Sequence, residues 1–134
     1  MREPTWVPRL LVEAVHLDLL RAHGGMPGLR DEGALESALA RPPNKLAYGR
    51  RVDHATLAAA YAYGLARNHP FNDGNKRIAF LMAVVFLGLN GWDFEVPDAD
   101  VVTQIVALAE GRLTEAKLAA WFRAGMTKQP RGAS

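Results

Sequence analysis

An all-α fold is what the sequence predicts: a compact bundle of about six helices packed around a central buried helix, in one domain. Three observations carry this expectation. Apolar residues recur at helical spacing through most of the chain. The run Ile78 to Leu89 has no polar face, as suits a helix enclosed by others. Between these segments stand stop and start signals: Gly24-Gly25, Pro42-Pro43 and Asn90-Gly91 as stops, and Asp31, Asp53, Asp98 and Thr114 as caps.

Taken in order, a first helix is expected from about Pro8 to His23. Pro8 suits a first turn, and Leu10, Leu11, Ala14, Val15, Leu17 and Leu19 keep roughly helical spacing. Met26-Pro27-Gly28 follows as a turn. Asp31 caps a shorter second helix carrying Leu35, Ala38 and Leu39, which Pro42-Pro43 is expected to end. Asn44 to Val52 reads as a loop or a small hairpin. Asp53 caps a third helix, His54 to Asn68, whose stripe is Leu57, Ala60, Tyr61, Gly64 and Leu65. The fourth and central helix runs from about Gly74 to Leu89. Trp92 to Val96 alternates briefly and reads as extended. Asp98 and Thr114 open a fifth and a sixth helix, to about Glu110 and Ala124. The domain is assigned to residues 1–126, and the polar tail Thr127 to Ser134 is expected to fray.

Composition narrows the function classes. Apolar residues make up 49% of 134 residues, enough for one core, and 22% are charged. The net charge is +2 with a pI near 9.2, and the cations are scattered, so no nucleic-acid stripe stands out. With no cysteine, disulfides, thiolate metal sites and a thiol nucleophile are excluded. The N-terminus has no signal-peptide pattern. The twelve residues from Ile78 to Leu89 rise roughly 18 Å as helix, whereas a bilayer core needs about 20 apolar residues. A cytoplasmic protein that neither enters a membrane nor binds nucleic acid directly is the expectation.

The chemistry is concentrated in nine residues, His69-Pro70-Phe71-Asn72-Asp73-Gly74-Asn75-Lys76-Arg77, set directly ahead of the buried helix. A helix N-terminus leaves its first N–H groups without partners and carries the positive end of the macrodipole, so it attracts anions. Gly74 lets a phosphate approach the backbone. Asn75 can donate its amide, and Lys76 and Arg77 add positive charge. Asp73 offers a hard oxygen to magnesium, which commonly binds through one or two carboxylates together with substrate phosphates. His69 fits a general base. Phe71 is expected to point inward and anchor the loop. Each residue also has a plainer reading. Asp73 or Asn72 can be a helix cap, Lys76 and Arg77 a solvated face, and a lone histidine structural. The ordered combination favours phosphate chemistry. It is not a Walker loop, because the G-x-x-x-x-G-K-[ST] spacing is missing.

The segment resembles the Fic/Doc superfamily, whose pattern is H-x-F-x-[D/E]-G-N-G-R-x-x-R. Lys76 stands where that pattern has its second glycine, and Phe80 where it has its second arginine. Both departures are those of the Doc branch, the death-on-curing toxins. The stretch Gly24 to Leu39, the close-out Phe86 to Gly91 and the chain length are also similar, so the resemblance covers roughly Trp6 to Gly125.

The resemblance implies a Fic-like helical bundle and a nucleotide-dependent transferase. A Doc-like member transfers the γ-phosphate of ATP, with magnesium, to a threonine of elongation factor Tu and arrests translation. His69 is then the base, Asp73 the magnesium ligand, and Gly74, Asn75, Lys76 and Arg77 the phosphate cradle. The family's inhibitory [S/T]-x-x-x-E-[G/N] segment has no match: Glu32-Gly33 is preceded by Gly28, and Glu110-Gly111 by Val106. Inhibition is accordingly expected in trans, from a Phd-like antitoxin, with exposed apolar residues of the first helix as candidates for its groove. Lys45, Leu46, Ala47, Tyr48 and Gly49 lie where the resemblance implies a substrate-docking flap. An AMP-transferring Fic enzyme is the nearest alternative, against which Lys76 and Phe80 count. A non-catalytic binding module is the other, and it has no need of His69.

Overall fold

The computed structural model describes residues 2–130. Six helices and two short strands follow in the order α1 (Arg9–His23), α2 (Glu32–Tyr48), α3 (His54–Asn68), α4 (Asn75–Leu89), β1 (Trp92–Phe94), α5 (Asp98–Ala109), α6 (Glu115–Gly125) and β2 (Met126–Lys128). The fold is the all-α, Fic-like bundle expected, with most helix boundaries where the caps put them. The Asp31, Asp53 and Thr114 side chains accept from the N–H groups of Ala34, Thr56 and Lys117. Pro8 and Pro97 occupy the N-cap positions of α1 and α5, so Asp98 lies inside the first turn rather than capping it.

The centre of the molecule is a helix pair rather than the single helix expected. α3 and α4, joined by residues 69–74, pack side by side. α3 is the more enclosed, because its alanines and Gly64 let α2, α4, α5 and α6 close round it. Ile78, Met82, Phe86 and Leu87 of α4 complete the core with Tyr61, Leu65, Leu108, Leu118 and Phe122. The buried face of α1 is Val12, His16 and Leu20, a strict i, i+4, i+8 stripe. Leu10 and Leu17 are exposed.

α2 does not stop at Pro42-Pro43 but continues through them to Tyr48. Two prolines remove two ladder donors, a cost that normally ends a helix. Tertiary contacts offset it here. Pro42 is buried in the core. On either side of the prolines, the Arg41 guanidinium lies 4.7 Å over the Tyr63 ring and pairs with Glu115 of α6, whose other oxygen is 3.1 Å from Lys45 Nζ. The loop or hairpin expected over Asn44 to Val52 is therefore mostly helix, and Gly49 is its C-cap, donating to the Lys45 carbonyl.

The fraying expected from Thr127 is also corrected. Residues 126–128 form β2, antiparallel to β1 with Trp92 opposite Lys128, Asp93 opposite Thr127 and Phe94 opposite Met126. Gln129 N–H donates to the Gly91 carbonyl at 2.9 Å. A two-stranded sheet is marginal alone. This one is held by Phe94, packed against Trp121 and Phe122 at ring distances of 5.0 and 5.2 Å. The remainder of the expected tail, 131–134, lies outside the described residues.

Candidate active site

The loop between α3 and α4 is built by a left-handed turn at each end. His69 ends α3 with φ 48 and ψ 57, and Gly74 opens α4 with φ 80. Positive φ at Gly74 is unstrained and leaves no Cβ at the mouth of the helix. Neither Asp73 nor Asn72 caps α4, and its N-terminus has no side-chain cap. The N–H groups of Asn75, Lys76 and Arg77 meet no acceptor among the described residues. They open on a cleft of about 430 Å³ lined by His69, Asn72, Asp73, Gly74 and residues 75–77. His69, Asp73, Lys76 and Arg77 are all exposed there, and neither cation is in an ion pair among the described residues.

Beneath this surface the loop is pinned. Phe71 is 3% exposed and stacks on His16 with ring centres 3.7 Å apart. His16, itself buried on α1, donates from Nε2 to the Asp73 carbonyl at 2.7 Å. Asn75 departs from its expected part as an amide donor to phosphate. Its Oδ1 accepts from Phe71 N–H at 3.0 Å and its Nδ2 donates to the Phe71 carbonyl at 2.9 Å. The carboxamide closes the loop on itself, while the Asn75 backbone N–H stays at the mouth.

Residues 24–31 run alongside the motif as a second rail. Leu29 forms an antiparallel bridge with Phe71, Asn72 N–H donates to the Gly28 carbonyl, and Arg30 and Asp31 N–H groups donate to the Pro70 carbonyl. Met26 N–H donates to Asp73 Oδ2 at 2.6 Å, leaving Oδ1 without a partner among the described residues. Gly25 makes that contact possible: a Cβ there would lie 3.0 Å from Leu20 and 3.1 Å from Asp73, and its φ is +121. Arg30 donates from Nε to the His69 carbonyl and from Nη2 to the Asn68 carbonyl.

The structure thus gathers His69, Phe71, Asp73, Gly74, Asn75, Lys76 and Arg77, and it does not gather Lys45, Leu46, Ala47, Tyr48 and Gly49 with them. Those five lie at the end of α2 beyond which α3 begins, and Lys45 lines a cavity with Thr56 of the first turn of α3. His69 is at the other end of α3, fifteen residues or roughly 22 Å along. The segment that runs beside the motif loop is 24–31. His16 and Arg30 were not singled out from the sequence. His16 had a signal in its place on the Val12/Leu20 stripe; Arg30 had none that spacing reveals.

A second cleft, about 360 Å³, adjoins the first through Lys76 and Arg77 and is walled by apolar side chains, among them Leu19, Phe80, Val101 and Ile105. Phe80, one turn along α4, is half-buried, with Phe94 and Trp121 at ring distances of 6.0 and 6.2 Å.

Comparison with known proteins bears on the family of the chain as a whole. A sequence profile described as the Fic/DOC family matches residues 6–87. The "Protein kinase doc" of Escherichia phage P1 is 34% identical over 111 residues, covering 82% of this chain and 86% of that protein. The "Toxin Doc" of Mycolicibacterium smegmatis is 40% identical over 116 residues, covering 79% of this chain and 87% of that protein.

Proposed function

Because this chain belongs to the Fic/DOC family, we propose that it is a Doc-type toxin that transfers the γ-phosphoryl group of ATP to a hydroxyl of a translation protein. A threonine of elongation factor Tu is the proposed target, and arrest of translation and growth the outcome. The observation that carries this reading is the open mouth of α4, where His69, the Asp73 carboxylate and three free N–H groups share one cleft.

The donor set suits a magnesium–triphosphate. Among the described residues Asp73 keeps one carboxylate oxygen uncommitted, beside free amides and the unpaired Lys76 and Arg77. Among the described residues no cluster of three histidines or carboxylates forms a cage for a bare ion. One carboxylate plus phosphate oxygens is a usual arrangement for magnesium. Held by Asp73, a magnesium ion would supply neutralisation of phosphate charge.

The protein's own groups do the rest. The α4 amides, Lys76 and Arg77 hold phosphate oxygens and orient the chain of phosphates. The adjoining apolar cleft is of a size to take the nucleoside. His69 accepts the proton of the target hydroxyl as its oxygen attacks the γ-phosphorus. The bond from that phosphorus to the bridging oxygen breaks, and ADP leaves. Such a transfer relies on position and charge more than on covalent chemistry. Phe80, held in an aromatic group, presents a wall where an AMP-transferring Fic enzyme has a cation, which favours phosphoryl over adenylyl transfer.

A Phd-like antitoxin is the proposed inhibitor in trans, with the exposed Leu10 and Leu17 of α1 as candidate contacts. No helix among the described residues is long and apolar enough to cross a membrane. The reading is tested by inducing the chain in growing cells. Growth should stop, should continue with His69→Ala, and should recover when the cognate antitoxin is co-expressed. Equal toxicity of the wild type and a stably produced His69→Ala protein contradicts it.

A further inference from the structure

We propose that Arg30 is a positioning residue that sets the direction of the His69 ring; the inference rests on reading His69 as the base. Three successive carbonyls at the end of α3, those of Asn68, His69 and Pro70, accept hydrogen bonds from this one residue. The distances are 2.7 Å from Nη2, 2.6 Å from Nε and 2.8 Å from the backbone N–H. No other residue among those described donates to the His69 carbonyl.

The need for such a clamp lies in the backbone. His69 is left-handed, with φ 48 and ψ 57, a region that residues with a Cβ seldom occupy. A non-glycine residue stays there only when its surroundings over-determine it. In a helical continuation of α3 the residue-69 side chain would leave the cleft, because the turn to α4 would not begin at that point. A planar fork that engages the carbonyls of residues 68 and 69 together fixes the peptide between them. A positive charge also suits the C-terminal end of α3. Arg30 itself does not line the cleft, so it acts on the reaction only through the orientation of His69.

A general base must sit within hydrogen-bond reach of the proton it takes. Loss of a supporting contact outside the reacting groups commonly costs on the order of 10- to 100-fold. Lysine reaches with a single nitrogen and cannot reproduce the fork.

The test compares wild type, Arg30→Ala, Arg30→Lys and Asp53→Ala. The last removes the N-cap of the same helix at its far end and serves as a stability control. Three quantities are measured: the transfer rate at saturating magnesium–ATP, the affinity for magnesium–ATP, and the NMR signal of the His69 ring Cε1–H in the nucleotide-free protein. Arg30→Ala should slow transfer on the order of 10- to 100-fold, leave nucleotide affinity within about twofold, and shift the ring signal. Arg30→Lys should recover part of both losses. Asp53→Ala should lower the melting temperature with rate and ring signal unchanged. The proposal is overturned if the ring signal is the same in Arg30→Ala as in wild type, or if Asp53→Ala slows transfer as much. A wild type that transfers nothing, with a ring signal that still moves only in the Arg30 variants, removes the enzymatic reading and leaves Arg30 as the residue that orients His69.

Discussion

Asn75 bonds twice to the same partner, the N–H and the carbonyl of Phe71, and it is buried. Replacing it by alanine strands both backbone groups where water does not reach, so Asn75→Ala should lower unfolding free energy by about 2–4 kcal/mol in chemical denaturation. Gly25 has a different constraint, since a Cβ would be strained at its φ of +121 and would press on Leu20 and Asp73 at 3.0–3.1 Å. Gly25→Ala should cost at least about 1 kcal/mol and raise the magnesium concentration that transfer requires, because the Met26 N–H that holds Asp73 Oδ2 moves with it. His69→Ala should leave stability nearly unchanged, since the side chain is exposed, and reduce transfer by about 10²–10⁴-fold in a single-turnover assay. The three substitutions separate the parts of one nine-residue passage: Asn75 shapes the loop, residue 25 aims the carboxylate, and His69 works on the proton.

At the scale of elements, the strap formed by β1 and β2 depends on a histidine at the start of α3. Trp92 Nε1–H donates to His54 Nδ1 at 3.0 Å, so that nitrogen has to be unprotonated. Burial lowers the His54 pKa below its ordinary 6.5, with the Asp53 charge opposing the shift. A histidine favoured neutral in the folded state contributes stability that is fully present above the unfolded value and is lost as pH falls through the lowered folded value. Melting temperature should therefore drop as pH falls below about 6.5, and His54→Gln should flatten that dependence relative to wild type in a series of thermal melts. The prolines of α2 give the other element-scale expectation. Pro43 withholds a donor from the Leu39 carbonyl within a helix already fixed by Arg41, Lys45 and Glu115. Pro43→Ala should stabilise the protein by about 1–2 kcal/mol in denaturant titration.

For the whole molecule, what was legible in the sequence was local. Asp53 and Thr114 announce their helices because a cap acts on N–H groups two or three residues away. The passage from His69 to Arg77 is compact enough to read, and it lies within the residues that the family profile matches, 6–87. What could not be read depends on distant partners. α2 outruns its prolines because α3 and α6 hold its last turns, β2 exists because Met126 finds Phe94, and His16 and Arg30 gain their parts only when α1 and residues 24–31 close on the loop. The proposed transfer likewise joins distant parts of the chain to a partner protein, and one measurement tests it. Purified chain is incubated with ATP, magnesium and elongation factor Tu, and the product is weighed intact and then sequenced by mass spectrometry. One added phosphoryl group on a threonine, missing with His69→Ala, is the predicted result; an added adenylate, or an unmodified factor after prolonged incubation with folded protein, contradicts it.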